Sequence, residues 1–395
     1  MKIVHIINRF LPNIGGAELY VYRLSKKLIE RGYENCVVTT TSTKFRGIEG
    51  AKLPRSEIID GIKVLRAPAY LSGPSLVLSS SIRQLVREVN DADIYNVHAL
   101  LSNISMEAVY EIKGRLRKPV FLTTHDIKVA ENLTIYMPLW KLYIHTLGNY
   151  LVKESDAIIC QNPEDASYII KTLKISPTKV QVIPCGVDTD FFNPLRVKDE
   201  EKESFIQKMG IDCKKVVLFV GRLEARKRID LLLLAMRLVL KKRTDTILLI
   251  IGPDQGILSQ LLALSKKLGL EKHVKFCGKL TDQELRVAYA VSDVSLSLSA
   301  QEAFGLTLAE SMAMEKPVIS HKWKGIQYVV VDGVNGLLVK PFDYEDLAKK
   351  VLHLLENDSY RVSLGRKARE YILNNFSLDV MVDRIIHVYN SVLRR

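Results

Sequence analysis

No stretch of the sequence approaches the run of about 20 apolar residues that a membrane-crossing helix needs, so an integral membrane span is not expected. The start, MKIVHIINRF, lacks the series of charged opening, apolar core and small-residue cleavage site that marks a secretion signal, and its apolar run has strand length. Cysteine is sparse and scattered. Cys36, Cys160, Cys185, Cys213 and Cys277 form no C-x-x-C and have no nearby histidine pair, which argues against a disulfide framework and fits reduced thiols in a cytoplasmic protein. Tandem repeats and low-complexity segments are missing as well. G-x-G-x-x-G is also absent, so a nicotinamide or flavin site loses its main support.

What the chain does contain is enough for two cores. At 395 residues and 47% hydrophobic it exceeds what one core usually supports, so two domains of roughly 150 to 200 residues are expected. Lys and Arg outnumber Asp and Glu by 57 to 44, a formal charge of +13 spread without a dense basic block. Such an excess favours anionic partners, whether phosphates, nucleic acid or an acidic membrane face. No helix-turn-helix, zinc-finger or RNP-type pattern supports nucleic acid.

The two halves open alike. KIVHIIN reads as a strand, Gly15 and Gly16 as a turn, AELYVYRLSKKLIERG as a helix ending at Gly32, and VVTTT as the next strand. The second half runs KKVVLFVG, the polar loop RLEARKR, the helix IDLLLLAMRLVLKK and the strand TILLIIG. Alternation of this kind predicts an α/β fold with two parallel-sheet, Rossmann-like domains, 1–190 and 191–375, hinged near Pro184 to Pro194. The tail, 376–395, is one further amphipathic helix begun by Ser377. Open parallel sheets bind ligands at the carboxyl ends of their strands, so the loops there are the places to look, with a deep cleft between the domains lined from both sides.

Two carboxylates stand out in QEAFGLTLAE. Glu302 falls in the loop after the strand SDVSLSLS, Phe304-Gly305-Leu306 make a turn, and Glu310 lies on the helix that Lys316-Pro317 stops. A helix N-terminus offers unpaired N–H groups and partial positive charge to phosphate or hydroxyl oxygens. A carboxylate can accept from two vicinal hydroxyls, at about 1.5 to 3 kcal/mol per charged hydrogen bond. The plainer alternative is that both acids merely favour the helix dipole. On the same sheet edge, Arg222 and Lys227 supply permanent positive charge suited to a diphosphate, or form a solvated basic loop.

In the first half, Gly15 and Gly16 would let backbone approach a phosphate, or simply make a tight turn. His125 ends the strand VFLTTHD where a histidine can donate or accept near a reacting group, and His98 has a similar, weaker case. The triplets Asp91-Ala92-Asp93 and Asp188-Thr189-Asp190 read as turn and linker residues, so no metal site is expected. Thr281 and Glu284 form a capping box.

Taken in order, PNIGGAE, TTHD, VIPCGVD, VGRLEARKR, SAQEAFGLTLAESMAMEKPVIS and DGVNGLLV resemble, over nearly the whole chain, the retaining glycosyltransferases of the GT-B fold, specifically glycosyltransferase family 4, the group 1 glycosyl transferases. The resemblance implies that Glu302 binds hydroxyls of the transferred sugar, that Phe304, Gly305 and Leu306 present backbone N–H groups, and that Glu310 holds the ribose diol. It implies that Arg222 and Lys227 stabilise the departing diphosphate, with Gly16 beside that phosphate and His125 near sugar and acceptor. Gly278 and Lys279 lie where the family's backbone meets the base, and the last helix crosses back to the N-terminal domain. Where members often read Gly-Gly-Ile-Pro-Glu, this chain has Lys324-Gly325-Ile326-Gln327-Tyr328.

The implied reaction moves a sugar from a UDP-, GDP- or ADP-linked donor to an acceptor hydroxyl with retention, without a protein nucleophile, a cofactor or a metal. The acceptor is expected to be a lipid-linked, polysaccharide or glycoconjugate precursor. Rival readings are a GT-B sugar-nucleotide epimerase, a sugar phosphorylase, for which no pyridoxal-phosphate lysine motif is found, and a basic nucleic-acid-binding protein. YMPLWKLYIHTLGNYLVKES mixes aromatic, apolar and basic residues as an interfacial helix does, or as a core helix does, which leaves peripheral attachment to an acidic cytoplasmic membrane face as an expectation.

Overall fold

The computed structural model of the protein describes residues 1–13, 15–43, 47–48, 53–73, 76–125, 127, 142–211, 214–299, 302, 304–323 and 325–394. The chain forms two compact units, Met1–Gly186 with Leu378–Arg395, and Val187–Ser377.

The strands of the first unit are β1 (Lys2–Ile6), β2 (Glu34–Thr40), β3 (Gly47–Ile48), β4 (Ser56–Ile59), β5 (Ile62–Ala67), β6 (Ala69–Ser72), β7 (Val77–Ser79), β8 (Ile94–His98), β9 (Val120–Thr123), β10 (Ala157–Cys160) and β11 (Val180–Val182). Eight of them make one sheet in the order β11-β10-β9-β8-β1-β2-β5-β4. Its inner strands are apolar on both faces because helices cover both, as in any doubly wound sheet. Alternation of strand and helix predicts only parallel pairing, and the structure adds to it: β4 runs antiparallel to β5, and β3, β6 and β7 form a small antiparallel sheet. Ser56–Ile59 and Ile62–Ala67 are joined through Asp60 and Gly61, both at positive φ, a turn that reverses the chain and leaves no room for a crossover helix.

One face of that sheet is covered by the helices Gly16–Glu30 and Leu378–Leu393, with Ile3, Val37, Ile94, Phe121 and Ile159 beneath them. The last helix is held by specific contacts as well as by apolar packing. Tyr389, fully buried, accepts from Asn96 Nδ2 at 2.8 Å and meets the Phe121 ring edge-on at 4.7 Å. Arg31 donates to Asp379 at 3.0 Å and also pairs with Asp383. A Cβ on Gly186 would fall 2.7 Å from the Leu378 Cα, so the close approach of these two segments depends on glycine.

The second unit has six parallel strands, β12 (Lys215–Val220), β13 (Thr246–Ile251), β14 (Val274–Gly278), β15 (Val294–Ser297), β16 (Val318–His321) and β17 (Leu337–Val339), ordered β14-β13-β12-β15-β16-β17. The helix Ile229–Leu240 buries Leu232, Leu233, Met236 and Val239 against this sheet, at about 1.5 to 3 kcal/mol for each large apolar side chain. At the ends of β12 and β13, a Cβ on Gly252 would lie 1.9 Å from the Gly221 carbonyl oxygen, so the two loops that follow are pressed together. The chain leaves this unit where the helix Asp358–Phe376 breaks at Ser377, whose extended ψ of 155° prevents the two final helices from fusing.

Candidate functional site

In the second unit β12 and β15 are neighbours, so the loops that leave their carboxyl ends are adjacent too. The loop after β12 carries Arg222 and, in a single turn of 3₁₀ helix at Ala225–Lys227, Lys227. The loop after β15 carries Glu302. Lys227 Nζ donates to Glu302 Oε2 at 2.6 Å, with side-chain exposures of 12% and 22%, so the pair is largely withdrawn from water. Such a charge-assisted bond is shorter and stronger than a neutral one, and removing either partner strands the other's charge. Arg222 differs: it is 54% exposed and only 3.5 Å from Glu224, which leaves its guanidinium weakly committed.

The turn between Glu302 and Glu310 depends on one glycine. Gly305 has φ +84, a conformation that side chains resist, and a Cβ there would come within 2.7 Å of the Ile326 Cδ1. That turn starts the helix Leu306–Ala313, whose first N–H groups face the loop of Glu302. Phe304 is buried and packs edge-on against Phe376 at 5.3 Å, so its ring serves the core and only its backbone is placed to meet a ligand. Glu310, the fifth residue of the helix, is 4% exposed; the Tyr289 hydroxyl lies 3.3 Å from its Oε2 and 3.1 Å from the Thr307 carbonyl oxygen, one proton shared between two acceptors. A buried carboxylate five residues into a helix lies beyond the first turn where the dipole acts, which removes the plainer dipole account for this acid.

The remaining expected residues of this unit are spread along the same edge. Gly278 ends β14 at φ +66 with its carbonyl accepting from Gly252 N–H at 2.8 Å, and Lys279 beside it is exposed. Gln327 and Tyr328 are exposed in a short 3₁₀ turn, and the Tyr328 carbonyl oxygen accepts from the Tyr371 hydroxyl at 3.3 Å; Lys324 lies outside the described residues. The two D-x-D triplets have local duties. Asp91 pairs with Lys2 Nζ at 2.5 Å, Asp93 accepts from the Lys2 backbone N–H at 2.8 Å, and Asp188 accepts from Phe191 N–H at 2.9 Å.

In the first unit Gly15 caps the helix Gly16–Glu30 in extended conformation, with the Glu18 carboxylate folded over it, and a Cβ on Gly16 would meet nothing within 4 Å. His125 is embedded in a row. Its Nδ1 lies 2.9 Å from Gln161 Nε2, its Nε2 3.0 Å from His98 Nδ1, and His98 Nε2 3.0 Å from His5 Nδ1. Strand register explains the row: His5 is opposite Asn96, two residues before His98, and the same alternation brings His125 and Gln161 to that face beyond β9 and β10. Burial keeps the row neutral, lowering His5 to about 3, His125 to about 4 and His98 well below the ordinary range. His5 and Gln161 carry no local sequence signal for this, since each is an ordinary alternate position of a buried strand end. Tyr289 was equally silent, lying inside an amphipathic helix.

Two family profiles between them take in most of the chain: glycosyltransferase family 4 matches residues 14–191, and glycosyl transferases group 1 matches residues 201–371. The chain belongs to the group 1 glycosyl transferases. This glycosyltransferase is 28% identical to a D-inositol 3-phosphate glycosyltransferase of Segniliparus rotundus, over 96% of this chain and 85% of that one. It is 25% identical to the alpha-monoglucosyldiacylglycerol synthase of Streptococcus pneumoniae, over 100% and 92%. Among solved structures, Anabaena HepE in complex with UDP and glucose superposes with a TM-score of 0.79 at 20% identity, covering 99% of this chain and 100% of that one. The fold of the enzyme is GT-B, with two Rossmann-like units. No helix among the described residues is long and apolar enough to cross a membrane.

Proposed function

We propose that the enzyme is a retaining glycosyltransferase that moves a hexose from a nucleoside-diphosphate sugar, UDP-linked in the first instance, to an acceptor hydroxyl. The observation that carries this reading is the pairing of Lys227 with Glu302 beside Arg222 and the start of the helix Leu306–Ala313. A ligand with negative charge in its middle and hydroxyls at both ends fits that arrangement: diphosphate to Lys227, Arg222 and the helix N-terminus, sugar hydroxyls to Glu302, ribose hydroxyls to Glu310. As the anomeric bond breaks, negative charge grows on the leaving oxygen, so the two cations interact more strongly with the transition state than with the donor. The phosphate itself takes the acceptor's proton, and no protein nucleophile is involved. Gly16 and His125 serve the same reaction from the first unit, beside the phosphate and the acceptor. Gly278 and Lys279 meet the base, and no metal or cofactor takes part.

A relative that is a D-inositol 3-phosphate glycosyltransferase and another that is an alpha-monoglucosyldiacylglycerol synthase favour an anionic or lipid-linked acceptor, as does the formal charge of +13. In the described part of 136–155, Leu142 and Leu147 are exposed, which supports peripheral attachment to an acidic membrane on the cytoplasmic side. Residues 136–141 lie outside the described residues.

Thermal shift with UDP-, GDP- and ADP-sugars tests the donor, because a bound ligand raises the melting temperature by mass action. The expected result is a rise with UDP-glucose that Glu310→Ala abolishes; no rise with any of the three defeats the reading. NMR of the product's anomeric signal tests retention, and an inverted product overturns that part alone. Co-sedimentation with vesicles containing phosphatidylglycerol is expected at low salt, and its absence removes the membrane from the account.

A further inference from the structure

Both ring nitrogens of His98 and of His125 face a hydrogen-bonding partner in the row Gln161, His125, His98, His5. A neutral imidazole donates from one nitrogen and accepts at the other. With the Gln161 amide N–H donating to His125 Nδ1, His125 must donate from Nε2 to His98 Nδ1, and His98 from Nε2 to His5 Nδ1. Turning the amide so that its oxygen accepts reverses all three rings together. Any mixed arrangement sets two N–H groups, or two bare lone pairs, against each other at 3.0 Å. The row therefore has two states, and each ring's tautomer is dictated by its neighbour's.

Its surroundings preserve this. His5 and His98 are fully buried, and His5 Nε2, at the inner end, has no hydrogen-bond partner. The Tyr20 ring meets His125 edge-on at 5.1 Å and His98 at 6.1 Å. The Tyr20 hydroxyl is itself held neutral by burial, with Cys185 and Tyr389 as the titratable groups that act on it and Arg23 acting on Cys185.

We propose that His98 and His5 are positioning residues for His125, a unit that couples its neutral tautomer to theirs and fixes its ring orientation at the acceptor end of the reaction. The inference rests on the placement of His125 in the proposed function. Because His125 already uses both nitrogens within the protein, its ring is aimed and not free to turn toward a passing hydroxyl.

The test is nitrogen-15 NMR of the full chain labelled on histidine, together with turnover of UDP-glucose as a function of pH. In the wild type the three rings are expected to be neutral and to show matching tautomer populations, unchanged from pH 8 to pH 5. His98→Phe keeps an aromatic ring but cuts the row; His125, still withdrawn from water, should stay neutral, but its tautomer should no longer match that of His5. The variant's kcat should fall at least fivefold, with donor KM unchanged. His98→Gln, which restores an amide donor and acceptor, should recover part of the loss. Different tautomer populations among the three rings, or a protonated ring at pH 6, in the wild type would overturn the proposal without any variant. So would a folded His98→Phe protein whose His125 signals and kcat profile match the wild type. His125→Phe separates the two levels: unchanged turnover there removes His125 from the reaction, whereas reduced turnover there with an unaffected His98→Phe removes only the relay.

Discussion

At the carboxyl ends of their strands, the two units hold polar groups in opposite ways. The first unit lines up three imidazoles that remain neutral, His5 and His98 fully buried and His125 partly so, bonded nitrogen to nitrogen at 3.0 Å. The second sets a full positive charge against a full negative one, Lys227 on Glu302 at 2.6 Å, with Arg222 half exposed beside them. A neutral row transmits orientation but creates little field; an ion pair with a loose third charge creates field and can rearrange when a new charge arrives.

The largest expected effects come from the charged side. Lys227→Ala should lower kcat by about 10²- to 10³-fold, the cost of removing one preorganised donor from a developing negative charge. Arg222→Ala should lower it by less, since that side chain stays partly in water. Unchanged turnover in both variants would erase the contrast. Next comes donor affinity: Glu310→Ala should raise donor KM by about 10- to 100-fold, from about 1.5 to 3 kcal/mol of charged hydrogen bonding, with kcat little changed. Tyr289→Phe should raise it only a few-fold, through about 1 kcal/mol of lost support for that carboxylate. A kcat effect for Glu310→Ala larger than its KM effect would move that residue to the reacting centre.

The neutral side is sharpened by acid. Between pH 6.5 and about 4 the unfolded chain binds protons that the buried histidines refuse, so their contribution to stability is complete above pH 6.5 and is lost as pH falls toward the folded values of about 3 for His5 and about 4 for His125. Each such histidine changes stability by about 1.4 kcal/mol per pH unit in that window. The stability gap between wild type and His5→Phe, taken from urea unfolding midpoints, should therefore narrow from pH 6.5 to pH 4.5; a constant gap would mean that His5 accepts protons inside the fold. Smallest is Gly305→Ala, where a positive φ costs about 1 kcal/mol and the contact with Ile326 adds to it, a drop of several degrees in melting temperature seen by calorimetry.

Much of this architecture is legible in the sequence because apolar periodicity is a local property. KIVHI, KVVLFV and TILLII appear as strands where their alternation or β-branched runs indicate, and the capping box from Thr281 to Glu284 forms as its spacing implies, with Thr281 N–H on Glu284 Oε2 at 2.9 Å. The antiparallel additions around Ser56–Ser79 escape such a reading because hairpin pairing depends on turns, not on the alternation of strand and helix. Glu302, Lys227 and Arg222 are legible because they fall in two continuous motif stretches, SAQEAFGLTLAE and VGRLEARKR, each at the end of a recognisable strand. The histidine row is not, since His5, His98, His125 and Gln161 are brought together only by strand order, a nonlocal quantity. Likewise no spacing joins Tyr289 to Glu310, which lie on different helices.

The helix Leu378–Leu393 also imposes an order in time. It completes the face of the first unit over Phe121 and Ile159, yet the whole second unit, Val187–Ser377, is synthesised before it. At about 5 to 20 residues per second, that interval lasts roughly 10 to 40 s. Throughout it, the emerging first unit carries an uncovered apolar face, and the Asn96 amide waits for its Tyr389 hydroxyl. The second unit, continuous in sequence, can close first. Ribosome-bound chains stalled before residue 378 should therefore hold a protease-resistant second unit beside a first unit that chaperones still recognise.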